Sequence, residues 1–67
     1  MKVRDIIKRL QADGWILETQ RGSHRQFVNP AFSDRKVTVN GKPGNDYSGD
    51  LLRWIFEQAG WDWKTRR

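Results

Sequence analysis

Apolar residues recur at helical spacing near each end of the chain, with charged and polar residues between them. The first set, in residues 2–13, consists of Val3, Ile6, Ile7 and Leu10. The second set, in residues 51–59, consists of Leu51, Leu52, Ile55, Phe56 and Ala59. Gly14 and Gly60 follow these segments as helix stops, and Ser48 stands in an N-cap position. The pattern predicts one amphipathic helix at each end.

Three shorter segments between the helices, residues 15–20, 24–29 and 35–40, contain β-prone residues in alternation with polar ones. The residues between the first two segments, Arg21-Gly22-Ser23, predict a three-residue hairpin loop in which Gly22 serves the turn. This loop would place Gln20 opposite His24 and Leu17 opposite Phe27.

That register separates the side chains into two faces. The apolar face would hold Trp15, Leu17, Phe27, Val37 and Val39. The polar face would hold Glu18, Gln20, His24, Gln26, Lys36, Thr38 and Asn40. We therefore predict an α+β fold of order α-β-β-β-α, a three-stranded antiparallel sheet with two helices packed on one face. A chain of 67 residues forms a single domain, residues 1–67. In its tail, Trp61 and Trp63 are expected to cover the core in preference to stacking on RNA bases.

Composition narrows the class of protein. The chain has no cysteine, which excludes disulfides and cysteine-based zinc sites and favours the cytoplasm. Its longest aliphatic or aromatic run is Trp15-Ile16-Leu17, far short of a membrane span or a signal peptide. With 13 Lys and Arg against 8 Asp and Glu, the net charge is +5, which attracts polyanions without identifying one.

Four segments resemble the HicA-type mRNA interferases, which are toxins of bacterial HicAB toxin-antitoxin modules. They are Ala12-Asp13-Gly14-Trp15, Gly22-Ser23-His24-Arg25-Gln26-Phe27, Lys36-Val37-Thr38-Val39 and Gly49-Asp50-Leu51-Leu52-Arg53-Trp54-Ile55. The resemblance implies a fold like the double-stranded-RNA-binding domain, cleavage of mRNA, and inhibition by a HicB-like antitoxin protein. After Val39 the chain departs from the family pattern, which often has a Pro and a further His there, and carries residues 40–46 instead.

His24 is the candidate catalytic residue. RNA is cleaved when its own 2′-hydroxyl attacks the adjacent phosphate, a step that needs one group to accept a proton and another to donate one. An imidazole, with an ordinary pKa of about 6.5, suits either task. His24 is the one histidine of the chain, so it is a weak candidate for a metal ligand, and neither a metal nor a cofactor is expected. In an arbitrary basic domain a histidine beside a turn is simply a surface residue, and the family resemblance favours the catalytic role.

Other residues around His24 are candidates for RNA binding and for the second catalytic role. Arg21, Arg25 and Lys36 are expected to bind phosphate, and Ser23 either donates to a phosphate or serves the turn. The second catalytic group is Lys36, which would stabilise charge, or Tyr47, which would supply a proton although a phenol has an ordinary pKa of about 10. We expect Lys36→Ala to lower turnover more than Tyr47→Phe.

Two other functions use the same sequence features. A non-catalytic RNA-binding module would need the same polar face and positive charge without turnover. An inactive relative would retain only antitoxin binding and transcriptional repression. The cations of the first helix fit a solvated surface better than a contact with an RNA minor groove.

Overall fold

Two α-helices flank three β-strands in the chain order that the hydrophobic pattern predicts. The computed structural model describes residues 1–66. Its main elements are α1 (Val3–Ala12), β1 (Ile16–Arg21), β2 (His24–Val28), β3 (Lys36–Val39) and α2 (Gly49–Ala59). Two short 3-10 helices, Pro30–Phe32 and Trp63–Thr65, were not anticipated by the sequence pattern. The α+β class and the α-β-β-β-α order are confirmed.

The three strands form one antiparallel sheet with β2 in the centre. Phe27 pairs with Val37 and Arg25 with Val39, so Phe27, Val37 and Val39 lie on the same face of the sheet. All three are buried together with residues of both helices. The core consists of Val3, Ile6, Leu10, Trp15, Phe27, Val37, Val39, Leu52, Ile55, Phe56 and Ala59. Both helices therefore cover one face of the sheet and leave the other face open.

The β1–β2 hairpin has a two-residue loop, Gly22-Ser23, and the predicted three-residue loop is wrong. Gly22 has a φ of +57°. Ser23 does not have a positive φ, since within residues 1–66 only glycines do. This combination is that of a type II′ turn, which has glycine at its first central position. Arg21 consequently pairs with His24, and a bulge between Leu17 and Thr19 restores the predicted pairing of Leu17 with Phe27. The two-residue turn and the pairing of Leu17 with Phe27 require strand registers that differ by one residue. The extra residue at the bulge, Glu18, makes up this difference, so both pairings form.

This register corrects the predicted face of one residue of β1, and the packing leaves another more exposed than its face suggests. Gln20 pairs with Arg25, and the alternation of side chains puts both of them on the helix-covered face instead of on the face of His24. Leu17 lies on the helix-covered side as predicted, but it remains 42% exposed. The reason is that β1 is an edge strand and the helices do not extend over it at this point.

The C-terminal tail covers the core, as expected from its tryptophans. Trp61 and Trp63 each contact the ring of Phe56 edge to face at 5.2 Å between centroids. The guanidinium of Arg9 lies 4.4 Å from the centroid of the Trp61 ring and donates to the hydroxyl of Thr65 at 2.8 Å. These contacts fix the tail to α1 and α2, because cation–π contacts and buried rings stabilise this side of the molecule.

The segment between β3 and α2 is attached to the N-terminus of the chain. The Tyr47 backbone N–H donates to Met1 O at 2.8 Å, and the Val3 N–H donates to Asn45 O at 2.9 Å. Ser48 precedes α2 as predicted, but its side chain makes no capping hydrogen bond. None of the helices within residues 1–66 combines the length and the apolar character that crossing a membrane requires.

Candidate functional site

The face of the sheet opposite the helices is mostly polar, with the apolar pair Ile16 and Val28 at the end away from the hairpin turn. The alternation of side chains along the paired strands places eight residues there, and we call this surface the open face. They are Ile16, Thr19, Arg21, His24, Gln26, Val28, Lys36 and Thr38. The bulge residue Glu18 also reaches this face, as predicted, because its carboxylate pairs with Lys36. His24, Arg21, Thr19 and Lys36 are exposed, whereas Gln26, Val28 and Thr38 are half-buried by their neighbours.

Arg21 and His24 are direct cross-strand partners at the end of the hairpin. Such partners have Cβ atoms roughly 5 Å apart and project from the same face. The imidazole is exposed, and the polar groups around it make their hydrogen bonds elsewhere: Gln20 Nε2 donates to Gly22 O at 2.9 Å, and Arg25 donates to backbone oxygens. His24 and Arg21 can therefore contact a ligand on the open face together.

Lys36 shares the open face but lies at the other end of it. It pairs with Val28, four residues along β2 from His24, which corresponds to roughly 13 Å along the strand. Its ammonium Nζ is 3.2 Å from Glu18 Oε1. The structure thus confirms the predicted face for Lys36 and does not bring it beside His24.

Arg25 and Ser23 are not part of the open face. Arg25 lies on the helix-covered side of β2, where its NH1 group donates to Gly41 O at 2.9 Å and to Ser23 O at 3.2 Å. These bonds connect the hairpin turn to the loop after β3. Ser23 is the exposed second residue of the turn, next to His24 in the chain.

Tyr47 lies near the end of β3 that is closer to His24. Its hydroxyl oxygen accepts a hydrogen bond from the backbone N–H of Asn40 at 2.7 Å. Asn40 follows Val39, which pairs with Arg25, so this bond lies at the level of His24 along the sheet. The phenol retains its own proton for donation, and its ring packs against the core.

A depression of about 260 Å³ also contains Tyr47, beside Met1, Leu52 and Trp63, but does not include His24. His24 instead lies on an exposed surface, which suits an extended polymer better than a small enclosed ligand. Within residues 1–66, no three His, Cys, Asp or Glu side chains come together in a way that could hold a metal ion.

Sequence reasoning identified His24 and its face, but it placed Arg21 in the loop. The signal that could have located Arg21 is the dipeptide Gly22-Ser23. Glycine followed by a small polar residue is typical of a two-residue type II′ turn, which makes the flanking residues a cross-strand pair.

The geometry defines an α+β domain with a histidine and an arginine paired on an exposed polar sheet face. A protein-family model described as the HicA toxin of bacterial toxin-antitoxin systems matches residues 3–61, which is most of the chain. The chain therefore belongs to the HicA toxin family, and membership implies an antitoxin partner. No curated protein and no solved structure matches it significantly.

Proposed function

We propose that this toxin is an endoribonuclease that cleaves mRNA on the open face, with His24 as its catalytic acid or base. The observation that carries the proposal is the cross-strand pair of His24 and Arg21 on that face, in a chain of the HicA toxin family. An exposed imidazole beside a permanent cation is a suitable combination for transfer of a proton next to a phosphate.

All heavy atoms of the products come from the RNA, and the protein only accepts one proton and donates another. The ribose 2′-hydroxyl loses its proton to the imidazole of His24 as its oxygen forms a bond to the adjacent phosphorus. The bond from phosphorus to the 5′-oxygen of the next nucleotide breaks, and that oxygen takes up a proton. The products are a 2′,3′-cyclic phosphate and a 5′-hydroxyl. One histidine cannot hold both protons in a concerted step, so a second group donates to the leaving oxygen.

The basic residues divide into different roles on geometric grounds. Arg21 stabilises the charge that develops on the scissile phosphate, because it is the direct partner of His24. Lys36 binds a phosphate further along the RNA, since it lies four residues away from His24 along the sheet. Tyr47 is the candidate proton donor to the leaving oxygen. Ser23 is an additional hydrogen-bond donor to phosphate. Arg25 connects the hairpin turn to the loop that contains Gly41.

The test is cleavage of an end-labelled transcript by the purified protein and by His24→Ala. We expect cleavage by the wild-type chain and a loss of at least about 10²-fold in the variant, the usual contribution of a positioned acid or base. The free energy of unfolding should change by less than about 0.5 kcal/mol, because His24 is exposed. Gln20→Ala, in the same hairpin on the other face, is the matched control.

Two outcomes would favour the other functions. A wild-type protein that binds the transcript and never cleaves it would be an RNA-binding module. A protein that neither binds nor cleaves RNA and does not slow the growth of a host cell, but forms a complex with its antitoxin, would be an inactive relative. Full activity of folded His24→Ala would refute the assignment of the catalytic residue.

A further inference from the structure

The in-register pairing of the strands arranges the open face in rows. The row nearest the turn contains Arg21 and His24. The next row, which we call the central row, runs across all three strands and consists of Thr19, Gln26 and Thr38. Adjacent rows are two residues apart along a strand, which corresponds to roughly 7 Å.

The central row contains hydrogen-bonding groups and no charge. Gln26 is half-buried between two threonines, and the hydroxyl of Thr19 donates to its Oε1 at 3.4 Å. The rows on either side each contain a cation, Arg21 in one and Lys36 in the other. Phosphates of a bound strand are attracted to Arg21 and to Lys36, which must exchange its partner Glu18 for the phosphate. The two cations lie roughly 13 Å apart along the sheet, so more than one nucleotide spans them, and a nucleoside between them faces the uncharged row.

We propose that Gln26 recognises the base of the nucleotide next to the scissile phosphate and that it selects adenine. This inference deepens the proposed function and rests on it. An amide presents a donor and an acceptor side by side, which matches adenine on two edges, N6 with N7 and N6 with N1, whereas each other base offers such a match only on its Watson–Crick edge. Base edges are accessible in single-stranded RNA, where most sequence-specific recognition occurs. The bond from Thr19 orients the amide and leaves one lone pair of Oε1 and both Nε2 protons for the base.

The experiment maps the sites at which the full-length protein cleaves a pool of RNA oligonucleotides that are randomised in sequence. The wild-type chain is compared with Gln26→Leu, which removes both hydrogen-bonding groups, and with Gln26→Glu, which replaces the donor by a second acceptor. Gln20→Leu is the matched control, because Gln20 lies in the same hairpin on the opposite face. Circular dichroism establishes that each variant is folded.

We expect the wild-type protein to prefer adenine at one position beside the cleaved bond by roughly tenfold, the lower part of the range for a bidentate contact. Gln26→Leu should abolish this preference at that position alone. Gln26→Glu should shift it toward cytosine, whose N4 amino group donates to a carboxylate. The Gln20→Leu profile should equal that of the wild type. An unchanged profile in both folded Gln26 variants would overturn the inference.

A binding measurement separates failure of this inference from failure of the proposed function. Fluorescence anisotropy gives the affinity of the His24→Ala protein, with and without Gln26→Leu, for short RNAs that contain adenine or lack it. A preference for adenine that depends on Gln26 supports the inference even if the wild-type chain does not cleave. Equal affinities for all of these RNAs would contradict it, whatever the cleavage assay shows. Thr38→Val, which keeps the volume of the side chain, should weaken the preference less than Gln26→Leu.

Discussion

At the scale of single residues, the proposed function depends on which cation stands beside His24. Three arginines or lysines near the hairpin are candidates, and the sequence does not separate them. The pairing of the strands does, because Arg21 is the partner of His24, Arg25 projects to the other face, and Lys36 lies four residues away. Arg21 therefore has the geometry for stabilising a transition state, whereas Lys36 has the geometry for holding the strand.

We expect Arg21→Ala to reduce the single-turnover cleavage rate by on the order of 10²-fold, comparable to the loss of one positioned donor to a developing anion. Lys36→Ala should mainly weaken RNA binding, because an exposed lysine paired with Glu18 contributes one screened phosphate contact. Arg4→Ala, which removes the same charge from exposed α1, is the control and should leave both quantities near wild type. A larger loss of rate in Lys36→Ala than in Arg21→Ala would contradict this division.

At the scale of elements, the β1–β2 hairpin determines which side chains project from the open face. Its two-residue turn makes Arg21 a strand residue, and its bulge at Glu18 lets the apolar end of β1 keep its pairing. Bulges of this kind bend an edge strand and redirect its side chains. Without the bulge, the register set by the turn would carry Leu17 to the open face, because a slip of one residue exchanges the two faces.

Gly22→Ala is expected to destabilise the protein by about 1 kcal/mol. The φ of Gly22 is +57°, where a Cβ is disfavoured, although nothing within 4 Å would contact that Cβ. Gly44→Ala has the same open surroundings without the positive φ, so it should be close to neutral. Denaturation in urea gives both values. Equal effects of the two substitutions would mean that the turn does not impose the left-handed conformation.

The elements show how far sequence reasoning extends. Periodicity predicted both helices and the three strands, because one apolar face fixes the period of each element. Periodicity could not predict the bulge. The turn sequence and the apolar pattern imply two different pairings of β1 with β2, and only the folded sheet shows that one extra residue satisfies both. For the same reason His24 and Lys36 were placed on the correct face, while Gln20 was placed on the wrong one. The exposure of Leu17 depends on where the helices end, which the local pattern does not contain.

At the scale of the whole molecule, the positive charge is spread over the surface and is not concentrated on the open face. The net charge is +5, yet in the described strands only Arg21 and Lys36 are cations of the open face, and Lys36 pairs with Glu18. Arg25 lies on the other face of β2, and the remaining cations of residues 1–66 lie outside the strands, where Arg9, for example, stacks on Trp61. The field of the whole molecule therefore attracts a polyanion, and the few groups of the open face orient it.

We expect the antitoxin to be acidic and to cover the open face, because the positive field attracts such a protein and occlusion of His24 would be the most direct way to stop the proposed reaction. We expect its association rate to fall by at least about tenfold in high salt, which screens long-range attraction. Stopped-flow mixing measures the rate, and hydrogen exchange of the complex locates the contact. An inhibitor whose footprint is confined to α1 and α2 would contradict this arrangement.

The most direct test of the central claim is the chemistry of the cleaved ends. A labelled RNA is incubated with the protein in EDTA, beside a copy in which the nucleotide at the mapped cleavage site lacks its 2′-hydroxyl. Attack by that hydroxyl predicts a 2′,3′-cyclic phosphate, or its hydrolysis product, with a 5′-hydroxyl. It also predicts that the deoxy copy and the His24→Ala protein give no product. Cleavage of the deoxy copy or a 5′-phosphate product would contradict attack by the 2′-hydroxyl. Activity that is lost in EDTA and restored by one divalent ion would show a metal-dependent nuclease instead.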